Sequence, residues 1–326
     1  MSCSEYDAEK LREELARDAR VSELGVEVTI TGDRAYIQGK VSTAERRDAV
    51  GQVAREVLPD CTVINEVTVA ELEPPDRQNP RVIRVAAVGD IHFGDDCVGC
   101  LAPQMGSIGE QADVLLIAGD LTKHGAPEEA VVLASELKYV PIPVVAVLGN
   151  HDYHCDAQEE IRHIVEGAGV TVLEGESTVL NLGGRTLGIA GTKGFGGGFA
   201  GASGSDFGEP EMKAFIRHTK SVSQMLCEQL TSLSSDYRVA LLHYSPVEDT
   251  LVGERLEIYP FLGSYLLAEA IDTAGADLAI HGHAHRGSEK GVTAKGIEVR
   301  NVAQPMLGRS YAVYCLGTHE REKNSY

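Results

Sequence analysis

The chain has 326 residues with 43% hydrophobic content, enough to bury a sizeable core and unlike a disordered or fibrous composition. Its formal net charge is -20, and no block of consecutive Lys and Arg interrupts it. Such a surface repels the phosphate backbone of nucleic acid and anionic lipid, so no nucleic-acid partner is expected.

The opening stretch MSCSEYDAEKLREELARDAR is charged and has no apolar h-region, and no run reaches the 18 or so apolar residues of a membrane span. The expectation is a cytoplasmic protein whose seven cysteines are free thiols. Leu11, Leu15 and Ala19 keep helical spacing. Val26, Val28 and Ile30 then alternate with polar residues as a strand does, Gly32-Asp33 turns the chain, and Ala35 and Ile37 continue into a second strand. Ser42 and Glu45 read as a capping box opening a helix with Val50, Val53, Ala54 and Val57 on one face. A last strand from Val63 to Val69 completes an αββαβ unit.

That order, and the stretch GVEVTITGDRAYIQGKVSTAERRDAVGQVARE followed by VINEVTV, resembles the BON domain over roughly residues 5–72. The resemblance implies attachment to a membrane or another ligand. Residues 1–75 carry 16 Asp+Glu against 9 Lys+Arg, so charge does not support lipid contact, and a docking or oligomerisation module is the competing expectation. EPPDRQNP at 73–80 reads as a linker. The expected division is a small N-terminal domain at 1–73, a linker at 74–80 and a larger domain at 81–326.

Beyond the linker, RVIRVAAVGD, DVLLIAGDL, PVVAVLGNHD, YRVALLHYS and LAIHGHAH are near-continuous apolar runs, as in strands covered on both faces. Hairpin-like segments at Ser177–Thr192 and Gly291–Gln304 point to mixed sheets, and 209–234 reads as helix. Each of the five runs ends in polar residues, and ligand sites of open α/β sheets lie outside the carboxyl ends of strands. The endings are GDIH at 89–92, GD at 119–120, GNHD at 149–152, His243 in LLHYS and GHAH at 282–285. Asp, Asn and His without any thiolate suit Mn, Fe, Zn or Ni, and the set is too rich for one ion. Two ions sharing a carboxylate account for it.

In their order and dipeptides these motifs resemble the calcineurin-like metallophosphoesterases, over residues 81–310. The resemblance implies a four-layer αββα sandwich and two divalent or mixed-valence ions, with Mn and Fe ahead of Zn and Ni. Asp90, His92 and His285 would hold the first ion and Asn150, His243 and His283 the second, with Asp120 bridging. In HGHAH, Gly282 sets the register, which leaves His281 outside the ligand set. A water between two such ions loses its proton near neutral pH and attacks phosphorus in line with the departing alkoxide. By resemblance Asn150 and His151 contact the phosphate and His151 is the general acid. Asp152 is expected to orient His151 or raise its pKa.

Residues 191–208, GTKGFGGGFAGASGSDFG, hold eight glycines and read as a mobile loop at the rim, with Lys193 available to a phosphate or base. Cys97 and Cys100 form a CxxC without a second ligand pair, so loop filling is favoured over a redox couple or a zinc site. The expected activity is hydrolysis of a small phosphodiester such as a cyclic nucleotide. The alternatives are a phosphomonoesterase with the same site, a nuclease, which the absence of a basic stripe disfavours, and a metal-dependent binding protein acting through the BON-like part.

Overall fold

The computed structural model describes residues 5–18, 20–21, 26–41, 44–69, 82–94, 96–99, 101, 105 and 107–317. Ala19, Ser42, Cys100 and the linker at 74–80 lie outside them.

The N-terminal unit pairs a helix at Glu5–Arg17 and a helix at Ala44–Val57 with four strands, β1 (Val26–Thr31), β2 (Arg34–Val41), β3 (Thr62–Asn65) and β4 (Thr68–Val69). β1 and β2 form an antiparallel hairpin through the Gly32-Asp33 turn, and β3 and β4 both pair with β2 in parallel. The expected last strand is thus two short ones. Its apolar face closes on itself: Leu11, Leu15, Val28, Ile37, Val50 and Ala54 are buried together in a core drawn from this unit alone.

The larger unit holds two sheets. In the first, β5 (Ile83–Val88), β6 (Val114–Ala118), β7 (Val144–Val147) and β8 (Thr171–Val172) run parallel, and β17 (Ala312–Leu316) adds antiparallel to β5 at the edge. The second comprises β9 (Glu176–Leu182), β10 (Arg185–Thr192), β13 (Tyr237–Leu242), β14 (Leu278–His281), β15 (Lys290–Val292) and β16 (Glu298–Asn301), in the order β15-β16-β14-β13-β10-β9. Its central strands are parallel, and antiparallel hairpins form both ends.

The strand alternation explains why these sheets stack between helices. Val85, Ala87, Leu116 and Val145 face inward and meet Ile189, Val239, Leu241 and Ile280 of the other sheet. Their neighbours Ala86, Val88, Leu115 and Ala146 face outward onto helices Pro127–Leu137 and Gln158–Gly167. On the far side Ala190, Ala240 and Ala279 receive Leu226 and Leu230 of helix Pro210–Ser232 and Leu267 and Ile271 of helix Tyr265–Ala274. Two-sided burial is what makes each strand read as an unbroken apolar run. The four layers are αββα, and the parallel strands of both sheets send their carboxyl ends to the same end of the sandwich.

No helix among the described residues is long and apolar enough to cross a membrane. Cys97, Cys155, Cys227 and Cys315 are free thiols. Cys61 is instead disulfide-bonded, which corrects the expectation of free thiols throughout.

Candidate metal centre

The loops that leave β5, β6 and β14 are bent sharply where their motifs begin. Asp90, His92, Asp120 and His283 all have positive φ, between 43° and 69°. Non-glycine residues pay roughly 1–2 kcal/mol each for that region, and such strain persists only where the surroundings over-determine it. It turns the side chains back across the strand ends toward one point. The motif glycines let the loops touch: a Cβ on Gly149 would strike the Asp120 carboxylate, and one on Gly282 would strike that of Asp90.

Two groups of possible ligand atoms result. Asp90, His92, Asp120 and His285 form one, and Asp120, His243 and His283 the other, with the atoms of each group within 4.8 Å of one another. Asp120 belongs to both. In the first group His285 Nε2 lies 3.0 Å from Asp90 Oδ1, and the Nε2 atoms of His92 and His285 face each other at 3.4 Å. Asn150 joins the second, its Oδ1 being 2.9 Å from His243 Nε2.

The protonation pattern suits a cation. His243 Nδ1 faces the Ala118 carbonyl at 2.8 Å, and because a carbonyl only accepts, that nitrogen carries the proton. Nε2 then directs its lone pair at Asn150 Oδ1 and, at 3.4 Å, at Asp120 Oδ1. Acceptors converging on acceptors in a buried place are costly unless a positive charge lies among them. Burial drives His283 down to about 3 and also lowers His92, so both rings are neutral with lone pairs available. Burial pushes the Asp90 carboxyl up, but the hydrogen bond to His285 and the nearby imidazoles outweigh it and hold it at about 2. His285 alone is shifted upward, by its hydrogen bond to Asp90, and would release its proton on binding an ion. Anionic oxygens and neutral ring nitrogens are the forms that divalent ions bind, so the residues fit a two-ion centre.

His151 sits on the turn His151–Tyr153 just beyond Asn150. Its backbone N–H donates to Asp120 Oδ1 at 2.8 Å. Its ring Nδ1 faces the Lys123 carbonyl at 2.7 Å, leaving Nε2 pointed inward, 3.9 Å from Asp120 Oδ2. The ring lies 4.5 Å from those of His92 and His154.

Asp152 corrects the sequence reading. Its carboxylate does not touch His151. It is fully buried and accepts from the backbone N–H groups of Leu121, Thr122 and Gly149 and from the Thr122 hydroxyl. It ties the β6 and β7 loops together, and the Lys123 carbonyl takes the place expected for it on the His151 ring. His281 is buried away from the donor groups, its Nε2 at 2.8 Å from the Thr250 hydroxyl and its Nδ1 at 2.7 Å from the Gly282 carbonyl. The first half of the glycine-rich stretch is not a mobile rim: Gly194 and residues 196–199 are buried, whereas residues 200–203 are exposed, and β11 (Gly198–Phe199) pairs with β12 (Ala202–Ser203) as a small hairpin.

Sequence reasoning missed two neighbours. The ring of Tyr244 lies 4.4 Å from that of His283, and the Phe261 carbonyl lies 3.3 Å from His283 Nε2. Tyr244 was within reach, since it follows His243 directly. Phe261 contributes only a backbone atom and left no side-chain signal.

The model of the calcineurin-like phosphoesterase family matches residues 83–287, and that of the BON domain matches residues 6–71. No curated protein matches in sequence. Among solved structures, one at 17% identity has a TM-score of 0.53, covering 73% of this chain and 97% of the other, a likeness that concerns the fold alone. A phosphopantetheinyl hydrolase from Mycobacterium tuberculosis is 16% identical with a TM-score of 0.49, covering 68% of this chain and 89% of its own. The protein TT1561 of Thermus thermophilus is 15% identical with a TM-score of 0.43, covering 72% of this chain and 98% of its own.

Proposed function

Because the chain belongs to the calcineurin-like phosphoesterase family, a family of metal-dependent phosphoester hydrolases, we propose that it hydrolyses a small phosphodiester at a binuclear centre. One observation carries the reading: Asp120 offers oxygens to both donor groups, which is what a carboxylate shared by two ions must do. In this reading Asp90, His92 and His285 would hold one ion, Asn150, His243 and His283 would hold the other, and Asp120 would serve both. The oxygen and imidazole donors suit Mn, Fe, Zn or Ni, and the resemblance to the family puts Mn and Fe first. When bound, the two ions supply a water acidic enough to attack at neutral pH and positive charge for the phosphoryl oxygens.

The chain's own residues do the remaining work. Asn150 and His151 orient the phosphate by their position on one turn. His151 hands a proton from Nε2 to the departing oxygen, while its Nδ1–H donates to the Lys123 carbonyl and fixes the ring. The strongly acidic chain, with its net charge of -20, favours a small ester over a polymeric nucleic acid. The N-terminal BON unit supplies none of these groups and is assigned a docking role.

The test is hydrolysis of bis(4-nitrophenyl) phosphate beside 4-nitrophenyl phosphate by the Mn-reconstituted full chain. The reading expects the diester to be the better substrate by kcat/KM. The reverse preference would make the protein a monoesterase, and inertness toward both would contradict hydrolysis.

A further inference from the structure

Beside the metal centre lies a cation that the mechanism leaves unused. Several basic side chains of the larger unit are held by carboxylates: Arg84 by Asp113, Arg162 by Glu166 and Glu176, Arg185 by Asp236, and Arg217 and Lys220 by Asp206. Lys193 is held differently. Its ammonium sits 4.0 Å from the centre of the Tyr153 ring and 5.4 Å from that of Phe195. Aromatic faces attract and place a cation without accepting its N–H bonds in line, so the donors stay free for an anion.

The nearest carboxylate is already engaged. Glu174 accepts from the Tyr153 hydroxyl at 2.8 Å with one oxygen and from the Lys193 backbone N–H at 2.9 Å with the other. Glu174, Asp120 and Asp152 act on the ammonium through space, and no ion pair joins it to a described residue. Tyr153, Glu174 and Lys193 border a cavity of about 160 Å³, together with His218 and Met225. Two links of the chain tie the residues of the cavity to the proposed chemistry. Tyr153 ends the turn that His151 begins, and the Lys193 carbonyl accepts from the backbone N–H groups of His243 and Tyr244.

We infer that Lys193 and this cavity form an anion subsite, selecting phosphodiesters that carry a second, non-reacting phosphate on their organic part. The inference rests on the phosphodiesterase reading above and narrows its substrate class. Lys193 is a specificity residue here: it touches the distal phosphate and takes no part in proton transfer. On this inference a nucleotide bearing a further phosphate meets the Lys193 charge and a monoanionic diester does not.

The experiment uses two esters with the same scissile bond and the same nitrophenol leaving group: thymidine 5′-(4-nitrophenyl phosphate) and its 3′-phosphorylated counterpart. The metal-loaded full chain is expected to prefer the second by about 10-fold or more in kcat/KM, through a lower KM, the range of a charged hydrogen bond. In Lys193→Met the ratio of the two kcat/KM values should fall toward one, and Lys193→Arg should retain part of it. Hydrolysis of both esters by the wild type at equal kcat/KM would overturn the subsite while leaving the phosphodiesterase reading intact. A ratio preserved in Lys193→Met would do the same. No hydrolysis of either ester by the wild type would overturn the reading itself and the subsite with it.

Discussion

At the scale of single residues, the account separates groups that hold ions from the group that moves a proton. His151 is the informative one, because its ring is fixed by the Lys123 carbonyl and lies in neither cluster of acidic and imidazole donors. His151→Ala is expected to keep its metal. Its rate on an ester with a poor, alkoxide-like leaving group should fall by about 10² to 10⁴, the usual share of general acid catalysis. An ester with a nitrophenol leaving group needs little protonation and should lose much less. Equal losses on the two esters, measured as kcat, would leave His151 as an orienting residue only. Asp152 shows where residue-level reading stops. Its place beside His151 in GNHD suggested a carboxylate–imidazole pair, but its partners are backbone N–H groups from the β6 and β7 loops. Backbone donors have no residue type, so nothing in the sequence marks them.

At the scale of elements, the site depends on how strand ends are fastened to one another. The Asp152 carboxylate is the fastening between β6 and β7, and Asp152→Ala leaves four buried donors without their acceptor. Each such loss costs about 1–3 kcal/mol in a buried place, so destabilisation of at least about 3 kcal/mol is expected in urea denaturation. A change below about 1 kcal/mol would mean that water replaces the carboxylate freely. The strands that carry the motifs were legible because burial on both faces makes them uninterrupted apolar runs of Val, Leu, Ile and Ala. β17 was not, since AVYCL is short, lies at an edge and carries no motif. Nor was the packing of the glycine-rich stretch: glycines read as freedom in a sequence, whereas here Gly196 and Gly197 allow close approach to Pro260 and Ser264. Lys193 was noted as a cation near the site, but the nearer of the two aromatic faces that hold it, Tyr153, comes from a segment distant in sequence.

At the scale of the whole molecule, two cores are built independently. The residues of the N-terminal core fall between Ala8 and Val67, and those of the two-sheet sandwich between Ile83 and Leu316. Every proposed ligand lies in the second. Removal of residues 1–75 should therefore leave hydrolysis of a small chromogenic diester within about threefold of the full chain. Folded but inactive protein, judged by circular dichroism and rate together, would mean that the first unit contributes to the site. The sandwich brings ligands from both sheets to one end, and Asp120 is the residue through which the two donor groups become one centre. The most direct measurement is metal stoichiometry, by elemental analysis after exhaustive dialysis, of the wild type beside Asp120→Ala. The account predicts two ions per wild-type chain and the loss of more than one in the variant, because a bridging carboxylate serves both. A variant that keeps two tightly bound ions would contradict the shared centre on which the proposed chemistry stands.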